Sequence, residues 1–112
     1  MLKYKLYIND ILRAIKITES TTKNKSFEDF NKNKNLIDAT AMRIQIIGES
    51  AKKLPENLKR KMKETNWAYL EGLRNIISHA YFRVNTHLLW GIVKNEIPKL
   101  KKDIQKIRGE LD

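Results

Sequence analysis

Leu36, Thr40, Ile44, Ile47, Ala51 and Leu54 recur every three or four residues, and Pro55 then stops the run. That spacing draws one stripe down an α-helix, whose side chains repeat about every 3.6 residues. A strand would need alternation with period two, and no segment of the chain sustains it. The helical period returns three more times. Tyr4, Ile8, Ile11, Leu12 and Ile15 mark a helix over 3–18. Trp67, Leu70, Leu73, Ile77 and Ala80 mark another, with Asn66 as its N-cap. After a break at Val84 and Asn85, a last helix starts near Thr86 and carries Leu88, Leu89, Ile92, Val93, Ile97, Leu100, Ile104 and Ile107. Between the first two stripes lies a polar link over 19–26, where Ser26 and Asp29 form a capping pair for a short helix around Phe27 and Phe30. Pro55 and Glu56 suit the first turn of a short basic helix through Met62, and Pro98 predicts a kink inside the last helix. The expected fold is all-α: an antiparallel bundle of four main helices with one or two short ones.

At 112 residues the chain has room for one domain, 1–112, and it contains no internal repeat. It has no cysteine, which rules out disulfides and thiolate metal clusters. Its two histidines lie eight residues apart with no clustered carboxylates, so no metal set is recognisable, and no cofactor is expected. The start, MLKYKLYINDILRAIK, carries lysines and an aspartate within its apolar pattern and is neither a signal peptide nor a membrane span. A cytoplasmic location follows as an expectation. Lysine and arginine total 23 against 13 acids, a net charge of +10, concentrated over 52–63 and 94–108. Such an excess favours a polyanion or an acidic protein as partner.

The stretch LRNIISHAYF at 73–82 crowds an arginine, an asparagine, a histidine and a tyrosine among large apolar residues. On a helix Arg74, Ser78 and Tyr81 share one side with Glu71 beside them, and Asn75 lies four residues from His79. Arg74 and His79 are five apart, about 140° around the axis, and do not converge on one small group from a straight helix. Distortion near Ser78, a long reach by Arg74, or a second subunit would bring them together. A twofold dimer is the most economical, because it puts two copies of each group in one cleft. His79 could exchange a proton at neutral pH, and Arg74 offers a planar donor fork for phosphate oxygens. Asn75 could fix the imidazole tautomer. Such a set suits RNA phosphodiester cleavage, where the 2′-hydroxyl is the nucleophile and no metal is required. His87 is read as a surface or capping group, and Tyr4, Tyr7 and Tyr69 as core-edge aromatics.

The segment RNIISHAY resembles the R-N-x-x-x-H-x-Y signature of HepT-like toxins, within the HEPN ribonuclease superfamily. DATAMRIQIIGESAKKLP at 38–55 is similar to that family's second block, an arginine followed by I-G-E-A-A-K-x-L-P. The segment 66–100 resembles its third block, with the signature followed by a tryptophan and a proline on the last helix. Two positions depart from the pattern: Asn85 where relatives often carry Asp, and Ser50 where they usually carry Ala. The resemblance implies an all-α homodimer with its site between protomers, acting as a metal-independent RNase. It implies Arg74 and His79 as the catalytic pair and Asn75 as the site's support. It also implies Tyr81 as the residue that a partner antitoxin, a minimal nucleotidyltransferase, modifies with AMP. An adenylate there would crowd Arg74 and compete for its charge. Arg43 and Glu49, with Ser78, are possible cleft residues; a structural ion pair is the other reading of Arg43 and Glu49.

The leading expectation is therefore the RNase toxin of a two-gene toxin–antitoxin module. The alternative is a catalytically silent helical subunit that binds the nucleotidyltransferase, with the signature as its docking surface. A nucleotide-binding bundle is the reading a basic interhelical cleft would suggest without the resemblance.

Overall fold

The computed structural model describes residues 2–79 and 85–111; at 2–3, 76–79 and 110–111 it describes the backbone alone. The elements are α1 (Leu2–Thr22), α2 (Phe27–Lys32), α3 (Lys34–Lys52), α4 (Glu56–Lys61), α5 (Trp67–His79), α6 (Thr86–Gly91), a π turn (Ile92–Glu96) and α7 (Ile97–Leu111). No strand occurs among the described residues, and the class is all-α. The α3 helix lies against both α1 and α5, while α7 packs on α1.

The stripe on α3 faces inward as its spacing requires, with Leu36, Thr40, Ile44, Ile47 and Ala51 all buried, and Leu54 is buried just beyond the helix end. Ile8, Ile11 and Ile15 meet it from α1, Leu70 and Leu73 from α5, and Ile97, Leu100, Ile104 and Ile107 from α7. Leu88 departs from its stripe and is exposed. Burying this set supplies the main favourable term in folding, at roughly 25 cal/mol per Å² of apolar surface removed from water.

The first helix runs one turn beyond the expected 18, to Thr22. Its threonines explain the extension. Thr18 and Thr22 are buried, and their hydroxyls donate to Ala14 O and Thr18 O, each at 2.7 Å. Composition typical of a loop is thereby kept in a helix, since each hydroxyl is satisfied by the preceding turn. Asn24, with φ of 59°, takes the left-handed conformation that closes the helix end.

The Ser26–Asp29 capping box opens α2: Asp29 N donates to Ser26 Oγ at 3.1 Å and Ser26 N to Asp29 Oδ2 at 2.9 Å. The bond from the Ser26 backbone N–H, and after it the Ser26 hydroxyl, hold the Asp29 carboxyl below its usual range. Pro55 is the N-cap of α4, one place earlier than the sequence reading put it. Asn85 caps α6, its side chain accepting from Leu88 N at 3.0 Å, so asparagine does here what aspartate would do. The interruption expected at Pro98 is the π turn just before it, in which Ile97 N–H reaches back five residues to Ile92 O. Proline at 98 has no N–H for the ordinary bond and its ring crowds the carbonyl four residues back, so a wider turn relieves the clash. Beyond it, Lys101 Nζ meets Glu19 Oε1 on α1 at 2.9 Å.

Candidate functional site

The placement of α5 starts at its N-terminus. Asn66 caps it, its side chain accepting from Tyr69 N at 3.1 Å, as the sequence suggested. One residue on, Trp67 Nε1 donates to Lys59 O and Met62 O at 3.2 and 3.1 Å, using carbonyls at the close of α4. Lys59 itself is only 7% exposed and donates to Glu71 Oε2 at 2.9 Å. Glu71 is thus engaged by α4. A buried ammonium needs such a partner, because an unpaired charge there would cost several kcal/mol.

Two turns after Trp67, α5 crosses α3 at Gly48. A methyl group on Gly48 would meet Arg74 N and Leu70 O, each at 3.0 Å, so any side chain here would push the α5 backbone away by a few tenths of an ångström. Glu49 follows at once, and Arg74 Nη1 donates to its Oε1 at 3.2 Å and Oε2 at 3.5 Å. Both side chains keep contact with solvent, 30% exposed for Arg74 and 42% for Glu49. The guanidinium is therefore fixed on one side and remains reachable. Asn75, next along, is exposed.

The structure thus brings together two of the candidate residues from different helices, Arg74 and Glu49. It corrects the pairing envisaged for the second block. Glu49 pairs with Arg74, while Arg43 donates from Nη1 to Thr21 Oγ1 on α1 at 3.3 Å and lines a groove between α1 and α3. The reason is angular: residues six apart on one helix point about 120° away from alignment and reach different neighbours. Ser50 is buried. The Ser78 and His79 side chains lie outside the described residues, although His79 is in the last described turn of α5; Tyr81 lies outside them altogether. His87 is exposed, as read from the sequence, and stacks on Phe27 with ring centroids 4.1 Å apart. Among the described residues, no three histidine, cysteine, aspartate or glutamate side chains group as a metal set would.

The arrangement holds a permanently charged donor fork at the surface, against a carboxylate that balances it and sets its angle. An anion reaching Arg74 would find donors already oriented. Comparison with known proteins matches this region as part of a larger whole: a family model described as Ribonuclease HepT-like covers residues 11–107. The chain belongs to the HepT-like ribonuclease family. A probable ribonuclease HepT of Thermococcus cleftensis is 38% identical to it over 105 residues, 94% of this chain and 96% of that protein. A Methanocaldococcus jannaschii protein whose name joins a gamma-glutamylcyclotransferase to a proposed RNase is 44% identical over 108 residues. That match takes in 96% of this HepT-like chain and 49% of the longer relative, so the chain spans about half of that protein's length. A proposed RNase of Caldanaerobacter subterraneus is 35% identical over 101 residues, 90% of each. No solved structure matches the HepT-like chain.

Sequence reasoning missed the bond between Glu49 and Arg74. The signal was present in Gly48: a glycine beside a helix's apolar stripe marks a close crossing, and the next residue is then at the partner's side.

Proposed function

We propose that the chain is the RNase toxin of a toxin–antitoxin module. It would act in the cytoplasm as a homodimer of antiparallel four-helix bundles and cleave RNA without a metal. The observation that carries this reading is Arg74, fastened to Glu49 at the Gly48 crossing and still open to solvent, within the segment matched to a ribonuclease family. RNA contains its own nucleophile. The 2′-oxygen attacks the adjacent phosphorus while a neutral His79 imidazole takes its proton. The O2′–P bond forms, the P–O5′ bond breaks, and O5′ takes a proton from an imidazolium or from water as it leaves. The products are a 2′,3′-cyclic phosphate and a 5′-hydroxyl. Arg74 would stabilise the added negative charge on the phosphorane, where loss of one such donor typically costs about 3 kcal/mol or more. Asn75 would orient the imidazole, and Ser78 would line the cleft.

In the same reading a minimal nucleotidyltransferase antitoxin silences the toxin by transferring AMP to Tyr81. Tyr81 is seven residues from Arg74, within about 20° on an ideal helix, so the adenylate phosphate would occupy the guanidinium's anion site.

The decisive test is cleavage of RNA in EDTA. Arg74→Ala and His79→Ala should each abolish it with circular dichroism unchanged. RNA lacking the 2′-hydroxyl at the cut should resist, and products should carry cyclic phosphate ends. Full activity of either variant would overturn the assignment, and loss of activity in EDTA would overturn the metal-free mechanism. With the cognate nucleotidyltransferase and ATP, intact mass should rise by one or more AMP units, and Tyr81→Phe should escape the label.

A further inference from the structure

A groove of about 500 Å³ lies between the end of α1 and the π turn, where Lys16, Lys23 and Lys94 line it with Glu19, Asn24 and Pro98. Its single lining acid, Glu19, is already held by Lys101 Nζ at 2.9 Å. The three lysines are exposed, and among the described residues no carboxylate pairs with them. Their charge is left for a ligand. Lys94 also belongs to a cluster of rings, its Nζ 4.6 Å from the centre of the Trp90 ring. Trp90 meets Phe27 edge-on at 6.5 Å, and Phe27 stacks on His87 at 4.1 Å with 20° between the planes. Buried Phe30 backs Trp90 at 5.0 Å. His87 is exposed, and its other face meets no ring among the described residues. The π turn that precedes Pro98 carries Lys94, so the same widened winding sets this ammonium between the rings and the groove.

We infer that this groove and its His87 plate hold single-stranded RNA away from the bond being cut. The inference rests on the ribonuclease reading and adds a second binding site for the same substrate. Flat rings and lysines on one surface suit a single strand, whose bases offer open faces and whose phosphates follow the cations. A base would stack on the free face of His87. Phe27 holds that ring flat from behind, so little side-chain freedom is lost on binding. Neighbouring phosphates would lie along Lys94, Lys16 and Lys23. A duplex hides the faces of its bases and would gain the charge alone. An acidic protein would likewise pair with the lysines and leave the plate unused. The plate is near the start of α3, since α2 enters α3 through Asn33, whereas Arg74 lies against Gly48. Lys34 and Gly48 are about 20 Å apart along that helix. The strand therefore spans several nucleotides between the two places, and the groove acts on binding rather than on the chemical step.

The test is fluorescence anisotropy of the full chain with a short labelled 2′-O-methyl RNA strand, which cannot be cut, beside cleavage of the ordinary strand. His87→Ala and Lys94→Gln should each weaken binding about fivefold or more, as the loss of one stacked base does. His87→Phe keeps a flat ring and should bind like wild type, which separates a plate from a proton carrier and from a loosened fold. Lys61→Gln makes the same charge change on α4, off the groove, and should bind like wild type. In cleavage, His87→Ala should raise KM by the same factor and leave kcat at saturation unchanged. Full-strength binding by both His87→Ala and Lys94→Gln overturns the proposal and leaves cleavage at Arg74 untouched. A loss in His87→Phe as great as in His87→Ala overturns the plate. Equal loss in Lys61→Gln overturns the groove, since bulk charge would then account for the binding. Variants that keep RNA but lose the nucleotidyltransferase assign the surface to that protein and overturn the proposal. A wild type that binds the strand through His87 but cuts no RNA supports the groove and overturns the ribonuclease reading.

Discussion

At Glu49 the size of an interaction and its consequence separate. The Glu49–Arg74 pair is partly exposed to water, so it contributes at most about 1 kcal/mol to stability. Its effect on the guanidinium's direction is larger in kinetic terms, because a reacting group displaced by about 1 Å can lose a hundredfold in rate. Glu49→Ala should therefore leave the melting temperature within a few degrees of wild type while lowering kcat for RNA cleavage about tenfold or more, with a smaller change in KM. Glu49→Gln keeps an acceptor oxygen in place and should recover much of the rate. Equal kcat in Glu49→Ala and wild type would reduce the pair to a surface ornament. Gly48 belongs to the same unit: a methyl group there pushes on Arg74 N and Leu70 O from 3.0 Å, and Gly48→Ala should move the arginine without touching its charge.

Among the elements, α3 carries a polar atom in its buried stripe. Thr40 is fully buried and its hydroxyl has no hydrogen-bond partner among the described residues. Thr40→Val removes that unmet group at similar volume and should raise stability by roughly 1 kcal/mol, seen as a higher denaturation midpoint. Burial raises the Tyr69 phenol on α5, and the Glu96 carboxylate adds to the rise. The fold thereby favours the neutral phenol. That stability is present below the unfolded pKa of about 10 and is lost as pH rises through the folded value. Tyr69→Phe should flatten the alkaline limb of a stability–pH curve and leave it unchanged near neutrality; an equally steep limb would refute the assignment.

The elements also separate what the chain announces from what it conceals. Helix positions and inward faces were legible because Ile8, Ile44, Ile47 and Leu73 repeat with the helix itself. The extra turn of α1 was not, since Thr18 and Thr22 read as polar until α1 is seen to bury them. Leu88 kept the right spacing yet stayed outside, because spacing gives a direction and only packing gives a neighbour. For the same reason Arg74 and Asn75 could be picked out by type, whereas the attachment of Arg74 to Glu49 required the α3–α5 crossing.

For the whole molecule, the excess of positive charge makes a prediction about salt. A net charge of +10 should make RNA affinity fall steeply with salt, at least roughly tenfold between about 50 and 200 mM, by fluorescence anisotropy on a short oligonucleotide. An affinity unchanged over that range would mean that the positive charge does not draw in RNA. The turn ahead of Pro98 has a consequence at this scale too. Its wide winding rotates α7 relative to α6 by nearly one residue's worth of arc, about 100°, compared with an unbroken helix. The two ends are moored separately, Trp90 5.0 Å from Phe30 by ring centroids and Lys101 on Glu19. Proline thus keeps the last helix out of phase with itself at the angle both moorings need. Pro98→Ala would let regular winding compete with that angle, and a shift in Trp90 emission would show the aromatic mooring giving way first.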